Sequence, residues 1–349
     1  MDDPTDMDFE ALMDDLRNLS QRQDPPTPPT PQPPAHGIPD IFLTDTLSVP
    51  DDGQIAAHWT LSHPDIAYGR GKWRRYTDGI WEAVDDELIY RLVRRTCEAA
   101  RQRKYRVTAA RVRSVMELAR NDVAVEDDRW DAHPRLLPMR NGLLDLKDHL
   151  LLPHQRNVYA TSRLDYDYDP EADCPNFRRV LERISDAADF LQEFAGYCLT
   201  PDTKLETAVW LQGPPGCGKS SLLEGLIAML GARVANLGLG DIDSNRFALA
   251  RVPGKTLLTS SEQPENRIAV THLLNALISG EPIRVEEKYR QAMEIRPIAK
   301  ILWAMNHLPR VMQADNGLMR RVKIVVFPGL QAGTQDPDLK HRIKAEAAG

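Results

Sequence analysis

The apolar positions along this chain change period several times, and each change marks a segment. Over residues 1–20, Phe9, Leu12, Met13, Leu16 and Leu19 recur at helical spacing on an otherwise acidic stretch. That pattern suits a solvated helix or a helix that docks on a partner, with the solvated helix somewhat favoured. Residues 24–39 (DPPTPPTPQPPAHGIP) hold eight prolines and almost no apolar side chains, the composition of an extended linker rather than a core. Residues 1–40 are therefore read as a disordered acidic and proline-rich tail.

From 41 to 165 the pattern predicts a folded N-terminal α+β region. GKWRRYTDGIWEAV reads as a hairpin turning at Thr77-Asp78-Gly79. Residues 85–104 and 108–120 read as helices, the second capped by Thr108. LLPMRNGLLDLKDHLLLPH reads as a strand, a turn at Asn141-Gly142 and a second strand-like segment. Residues 175–199 are helical in pattern, with Pro175 near the start and apolar Phe177, Val180, Leu181 and Ile184. After that the pattern changes again. Short apolar runs at 207–211, 256–259, 300–305 and 322–327, with helical stretches between the first three, predict an α/β fold with parallel strands at its centre.

Composition adds three limits. At 349 residues, 42% hydrophobic and 27% charged, the chain suits two globular domains with a tail. No run of eighteen apolar residues is present, and the acidic N-terminus lacks the layout of a signal peptide, so a cytoplasmic protein without membrane contact is expected. Cys97, Cys174, Cys198 and Cys217 fall in no metal-binding spacing, so neither disulfides nor structural zinc is expected. The net charge of −7 conceals a strong asymmetry: residues 1–20 carry seven acidic side chains and one basic, whereas residues 91–120 carry ten Lys/Arg against Glu98 and Glu117. A polyanion responds to that local excess, although an arginine-rich helix face is more often simply solvated.

The chemistry concentrates in the second half. Gly213-Pro214-Pro215-Gly216-Cys217-Gly218-Lys219-Ser220 fits G-x-x-x-x-G-K-[ST], with an apolar strand before it and an amphipathic run from Ser221 after it. In such a loop the glycines admit phosphate to backbone N–H groups, Lys219 neutralises the β and γ charges, and the Ser220 hydroxyl ligates Mg²⁺. Residues 213–221 are thus the candidate ATP site, with Cys217 a small filler in the loop. In KTLLTSSEQPE, Glu262 stands just beyond a strand, where a hydrolase places the carboxylate that holds Mg²⁺ and activates water; alone, it reads better as a polar turn. AKILWAMNHLPR ends its strand in Asn306, whose amide suits both a γ-phosphate and a lytic water. Arg320-Arg321 directly precede the last strand and are candidates to stabilise transition-state charge in a neighbouring subunit. The spacings, 43 residues from Lys219 to Glu262 and 44 from there to Asn306, suit one strand–helix repeat each, with the three strands ending on one edge. In GEPIRVEEKYRQAMEIRPIAK, alternation predicts a hairpin with Lys288-Tyr289-Arg290 near its tip, a cation–aromatic–cation set suited to a nucleic-acid backbone or to solvent.

In that order, GPPGCGKSS, the strand ending in Ser261-Glu262, GEPIRVEEKYRQ, and WAMNHLPR followed by MRRVKIVVF resemble superfamily 3 helicases, AAA+ motors of viruses, phages and plasmids, in their primase-associated branch. NGLLDL, YDPEADCPNF and FAGYCLTPDT are similar to the segments that precede the motor there. The likeness runs over roughly residues 130–345. It implies a helical collar over 166–205, an AAA+ P-loop motor over 206–330, and a mostly helical region ahead of them. It also implies a homo-oligomeric ring, a hexamer, around one DNA strand, with ATP and Mg²⁺ held between subunits. On that resemblance Glu262 is catalytic, Asn306 the sensor, and Arg321, ahead of Arg320, the arginine finger. Lys288, Tyr289 and Arg290 then grip DNA, and a replication partner is met through the N-terminal region. Two departures qualify it. No paired-carboxylate primase motif precedes the motor, and residues 331–349 read as a C-terminal tail shortened by truncation or by nature. A ring-forming DNA-binding or interference protein with a structural ATP site is the alternative; a small-molecule kinase leaves the hairpin unexplained.

Overall fold

The computed structural model describes residues 49–245, 247–261, 267–268, 271–286, 292–311, 316–329 and 336–349. The acidic and proline-rich tail expected over 1–40 lies outside them. The described residues divide into two compact units, one formed by 49–67 together with 84–124, the other by 68–83 and those from 125 on.

In the first unit three helices, α1 (Asp52–Ser62), α2 (Asp86–Ala99) and α3 (Ala109–Asp122), bury Ile55, Trp59, Ile89, Val93, Cys97, Val112 and Val115. Local chemistry sets their starts. Asp51 and Gln54 form a reciprocal capping box on α1, and the Thr108 hydroxyl accepts from the Arg111 N–H on α3, as the sequence predicts. At the end of α2, Lys104 takes a left-handed φ of 64° and turns the chain back. Tyr105 is buried, its hydroxyl donating to Asp52 Oδ1 at 2.8 Å. The Arg111 guanidinium also pairs with Asp52 at 2.7 Å and lies 3.8 Å from the Tyr105 ring centre. Burial works to raise the Asp52 carboxyl, but its bonds from Tyr105, Ser114 and Arg111 outweigh that and hold it below the usual range.

Strand β1 (Ile66–Gly69) carries the chain into the second unit and joins β2 (Lys72–Thr77) and β3 (Ile80–Val84) in a three-stranded sheet. The β2–β3 turn is Asp78-Gly79, both residues at positive φ, the two-residue geometry that an Asp-Gly pair favours. A second sheet is antiparallel: β4 (Leu136–Met139), β5 (Gly142–Asp145) and β6 (Leu150–Leu152). Its first turn is Arg140-Asn141, one residue earlier than expected, because Gly142 already pairs with Met139.

The helical stretch 175–199 is two helices, α4 (Pro175–Glu182) and α5 (Ser185–Cys198), broken at Arg183-Ile184. Five strands then form a parallel sheet in the order β15-β7-β13-β9-β8, namely β7 (Ala208–Gln212), β8 (Val234–Asn236), β9 (Leu257–Ser260), β13 (Lys300–Met305) and β15 (Val322–Val326). Between them run α6 (Lys219–Leu230), α7 (Leu239–Ser244), α8 (Thr271–Ser279) and α9 (Asn316–Arg321). β10 (Arg267–Ile268) pairs with β14 (Arg310–Val311), and β11 (Ile283–Val285) with β12 (Met293–Ile295).

Both sheet faces are covered, which is why the strands read as continuous apolar runs. Ala208, Trp210, Ile301 and Trp303 face one core with Leu274, Leu277 and Ile278 of α8. Val209, Leu211, Leu302 and Ala304 face the other, with Leu222, Leu223 and Leu226 of α6 and Phe194 and Cys198 of α5. The helices expected to form a collar thus pack into the core of the sheet. α10 (Leu339–Ala345) joins the same core through Leu339 and Ile343.

α4 has no side-chain cap of its own at Cys174. The Glu346 carboxylate, just past α10, accepts from the N–H groups of Asn176 and Phe177 at 3.0 Å, and from the Asn176 side chain. Burial works to raise this carboxyl, but those donors outweigh it and hold it below the usual range. Glu346→Ala is expected to destabilise the fold by about 1–2 kcal/mol, the usual worth of a lost helix cap. A carboxyl whose folded value is depressed stabilises above its unfolded value, and that contribution is lost as pH falls through the folded one. The melting-temperature gap between the two proteins is therefore expected at neutral pH and to close well below about pH 4; an equal gap at both pH values would count against this role.

Candidate functional site

Parallel strands end on the same edge, so the sheet gathers the ends of β7, β9 and β13. From the end of β7, Gly213 begins the glycine-rich loop. Its N–H donates to the Met305 carbonyl at 3.3 Å, so the loop springs from the β13 edge as well as from β7. A Cβ on Gly213 would lie 2.6 Å from the Phe327 carbonyl oxygen and 2.9 Å from its Cβ, leaving no room for a side chain. Gly216 and Gly218 take φ values of 76° and 106°, conformations costly for other residues. Pro214, Pro215 and Gly216 are exposed, whereas Cys217 is buried in the core below the loop, as a filler would be.

α6 starts at Lys219 with Gly218 at its cap position and no side-chain cap bond. Its N-terminal N–H groups and positive dipole end therefore point into the loop, the arrangement that attracts phosphate. Ser220 is half-buried in the first turn and Ser221 buried behind it. Lys219 is 7% exposed. Its ammonium donates to the carbonyls of Gly213 at 2.6 Å and Pro214 at 3.0 Å, and to Asn306 Oδ1 at 3.2 Å. Two candidates 87 residues apart thus meet in one hydrogen bond. Asn306 itself is exposed, directly beyond β13.

The cradle around Gly213, the left-handed glycines, the uncapped helix start and a lysine held at the loop together fit a nucleoside triphosphate. The Ser220 hydroxyl fits Mg²⁺, whose second expected ligand, Glu262, lies outside the described residues. Ser260 pairs with Trp303 in the sheet, so β9 and β13 run side by side toward that edge. The hairpin read in the sequence is present as β11–β12, with Ile283, Val285 and Ile295 buried in the sheet core and Arg284 opposite Glu294. Lys288, Tyr289 and Arg290 lie outside the described residues.

Arg320 and Arg321 end α9 immediately before β15. Val322 is in register with Ala208 and Val326 with Gln212, so both arginines sit at the opposite end of the strands from the glycine loop. At about 3.3 Å per residue, roughly 15 Å of sheet separates them from the loop of their own chain. The two differ in setting. Arg321 is 13% exposed and committed within its own chain, its Nε and a terminal nitrogen donating to Glu206 Oε2 at 2.8 and 2.7 Å. Its other nitrogen donates to the Gly317 carbonyl at 3.0 Å. Arg320 is exposed.

Sequence reasoning missed Glu206, which takes a left-handed φ of 42° just ahead of β7; a single glutamate in a polar loop carries no signal that an arginine 115 residues later will meet it. It also missed Lys300, buried and donating to the carbonyls of Thr200, Asp202 and Ile298. Burial pushes that ammonium down to about 8. Lys300 ties the end of α5 to the start of β13, away from the glycine loop. Among the described residues no cluster of His, Cys, Asp or Glu is arranged to hold a metal ion, and no helix is long and apolar enough to cross a membrane.

Two family models match successive parts of the chain, and the first spans residues of both compact units. Residues 57–186 match the family described as D5 N terminal like, and residues 211–321 match a family of unknown function, DUF5906. Two apo structures of the NrS-1 C terminal region share the fold, at TM-scores of 0.52 and 0.55 and 12% and 13% identity. Each alignment covers 86% of this chain, and 67% and 68% of those chains respectively.

Proposed function

We propose that the chain is an ATP-dependent DNA helicase or translocase of the superfamily 3, AAA+ type. In this reading it serves the replication of a phage, plasmid or other mobile element in the host cytoplasm, and it hydrolyses ATP between subunits of a ring. The Lys219–Asn306 contact carries the reading, because it unites the phosphate-loop lysine and the sensor amide at one sheet edge. The D5 N terminal like match supports it independently, since it covers NGLLDL and YDPEADCPNF, two of the segments that the resemblance places ahead of the motor.

Each residue then has its own task. The N–H groups from Gly216 to Ser220 and the Lys219 ammonium hold the β and γ phosphates; to do so, Lys219 exchanges the Gly213 and Pro214 carbonyls for phosphate oxygens. Ser220 and Glu262 hold Mg²⁺, which when bound draws charge from the phosphates. Glu262 takes the proton of the attacking water, and Asn306 orients that water. Arg320 stabilises the charge that develops in a neighbouring protomer's site, since it is exposed and too far along the sheet to serve its own. Arg321 can do so only by leaving Glu206. Lys288, Tyr289 and Arg290 contact the DNA strand inside the ring.

The test is turnover with and without DNA. ATP hydrolysis that rises severalfold on adding a single strand, together with unwinding of a forked duplex, is the expected result. Hydrolysis indifferent to DNA, with no unwinding, would sink the motor reading and leave a ring-forming binding protein with a structural nucleotide.

A further inference from the structure

We propose that the turn that follows α2, residues 101–106, forms a second nucleic-acid contact that grips the phosphate backbone outside the nucleotide-bearing unit. The sequence AARQRKYR over 99–106 contains four cations and no acid. Arg101, Lys104 and Arg106 are exposed there, as are Arg91, Arg94 and Arg95 on the preceding helix and Arg113 on α3. Of these, Arg94 is paired with Glu98 at 2.9 Å.

The charge of this unit is sorted rather than spread. Asp85, Asp86 and Glu87 stand at the start of α2, whereas Arg101, Arg103, Lys104 and Arg106 follow its end, in the tight turn Ala100–Arg103 and the residues directly beyond it. The turn is also held firmly. Lys104 N–H donates to the Arg101 and Ala100 carbonyls, and the next residue, Tyr105, is anchored through its hydroxyl to Asp52 and beneath the Arg111 guanidinium. Cations on a backbone fixed in this way lose only side-chain entropy, and no further backbone entropy, when they meet a regularly spaced anion. A cluster of Lys and Arg without interspersed carboxylates suits phosphates, which bind through charge and counterion release with no demand on base sequence. The proposal deepens the DNA reading above and rests on it only for the nucleic acid being DNA.

The experiment uses the full chain without nucleotide, so its outcome is separate from that of the motor reading. Binding of a labelled single strand of about 40 nucleotides, and of the same sequence as a duplex, is measured across salt concentrations. The parent is compared with the triple variant Arg101→Gln, Lys104→Gln, Arg106→Gln. Each lost phosphate contact lowers the slope of log K against log salt by about 0.7 on the single strand and about 0.9 on the duplex, so three lost contacts should lower it by about 2.1 and about 2.7 respectively. An unchanged melting temperature shows that the variant folds. The charge-preserving double variant Arg101→Lys, Arg106→Lys, with Lys104 left in place, should keep most of the parent slope.

An unaltered slope on both substrates overturns the proposal. So does an effect of the triple variant that vanishes when residues 1–20 are deleted, because the basic turn would then seat the acidic N-terminal segment rather than DNA.

Discussion

Lys219→Ala is expected to lower ATP turnover by about 10²–10³-fold, the usual scale for removing one preorganised cation or donor from a developing charge. The same change should abolish the rise in melting temperature that nucleotide gives the parent, since that rise follows ligand affinity for the folded state. Two readouts are needed because this lysine is also structural: it bonds the Gly213 and Pro214 carbonyls and Asn306. Lys219→Arg keeps the charge but not the compact ammonium, and it should leave turnover impaired while preserving more of the melting temperature. Nucleotide stabilisation of the Ala variant equal to that of the parent would remove the loop from the site.

The second large effect concerns the paired arginines. Arg320→Ala is expected to lower kcat by about 10³-fold with nucleotide affinity little changed, the range for loss of an arginine acting in trans. Arg321→Ala is expected to act mainly on stability, by about 1 kcal/mol, because it removes the pair with Glu206, whose carboxylate is half-exposed and open to water. A mixing experiment separates catalysis in trans from damage to the fold. Lys219→Ala protomers carry an intact Arg320, and Arg320→Ala protomers carry an intact loop. Combined in equal amounts, two inactive proteins should recover about one quarter of parent turnover if each site is completed by its neighbour in a closed ring. No recovery would count against a shared site. If Arg321→Ala rather than Arg320→Ala removes turnover, the Glu206 pair opens on assembly and Arg321 is the finger.

Much of the fold was legible before any coordinates. Thr108 as a cap, the Asp78-Gly79 turn and four of the five parallel strands follow from local rules: side-chain period, a hydroxyl at a helix start, a residue pair that tolerates positive φ. Where local signals were short or divided, they misled. β8 is only three residues long and β6 likewise, too brief to show a period. The break at Arg183-Ile184 is hidden inside a run whose apolar spacing stays helical throughout.

The candidate site shows the same division. The glycine loop could be read as a phosphate cradle because its chemistry is contiguous: the glycines, Lys219 and Ser220 act within eight residues of chain, and strand and helix flank them in sequence as in space. The partners of that loop depend on which strands lie side by side. Sequence spacing is compatible with several strand orders. Only packing on both sheet faces places β13 between β7 and β9 and so brings Asn306 to Lys219. Packing likewise sets Glu346 on the start of α4 and Glu206 on Arg321, pairings across 170 and 115 residues. Residue identity determined what each group can do, because that is a property of the side chain and its near neighbours. Tertiary structure decided which groups meet, because contacts between distant residues are selected by the burial of whole faces and leave no periodic trace in the chain.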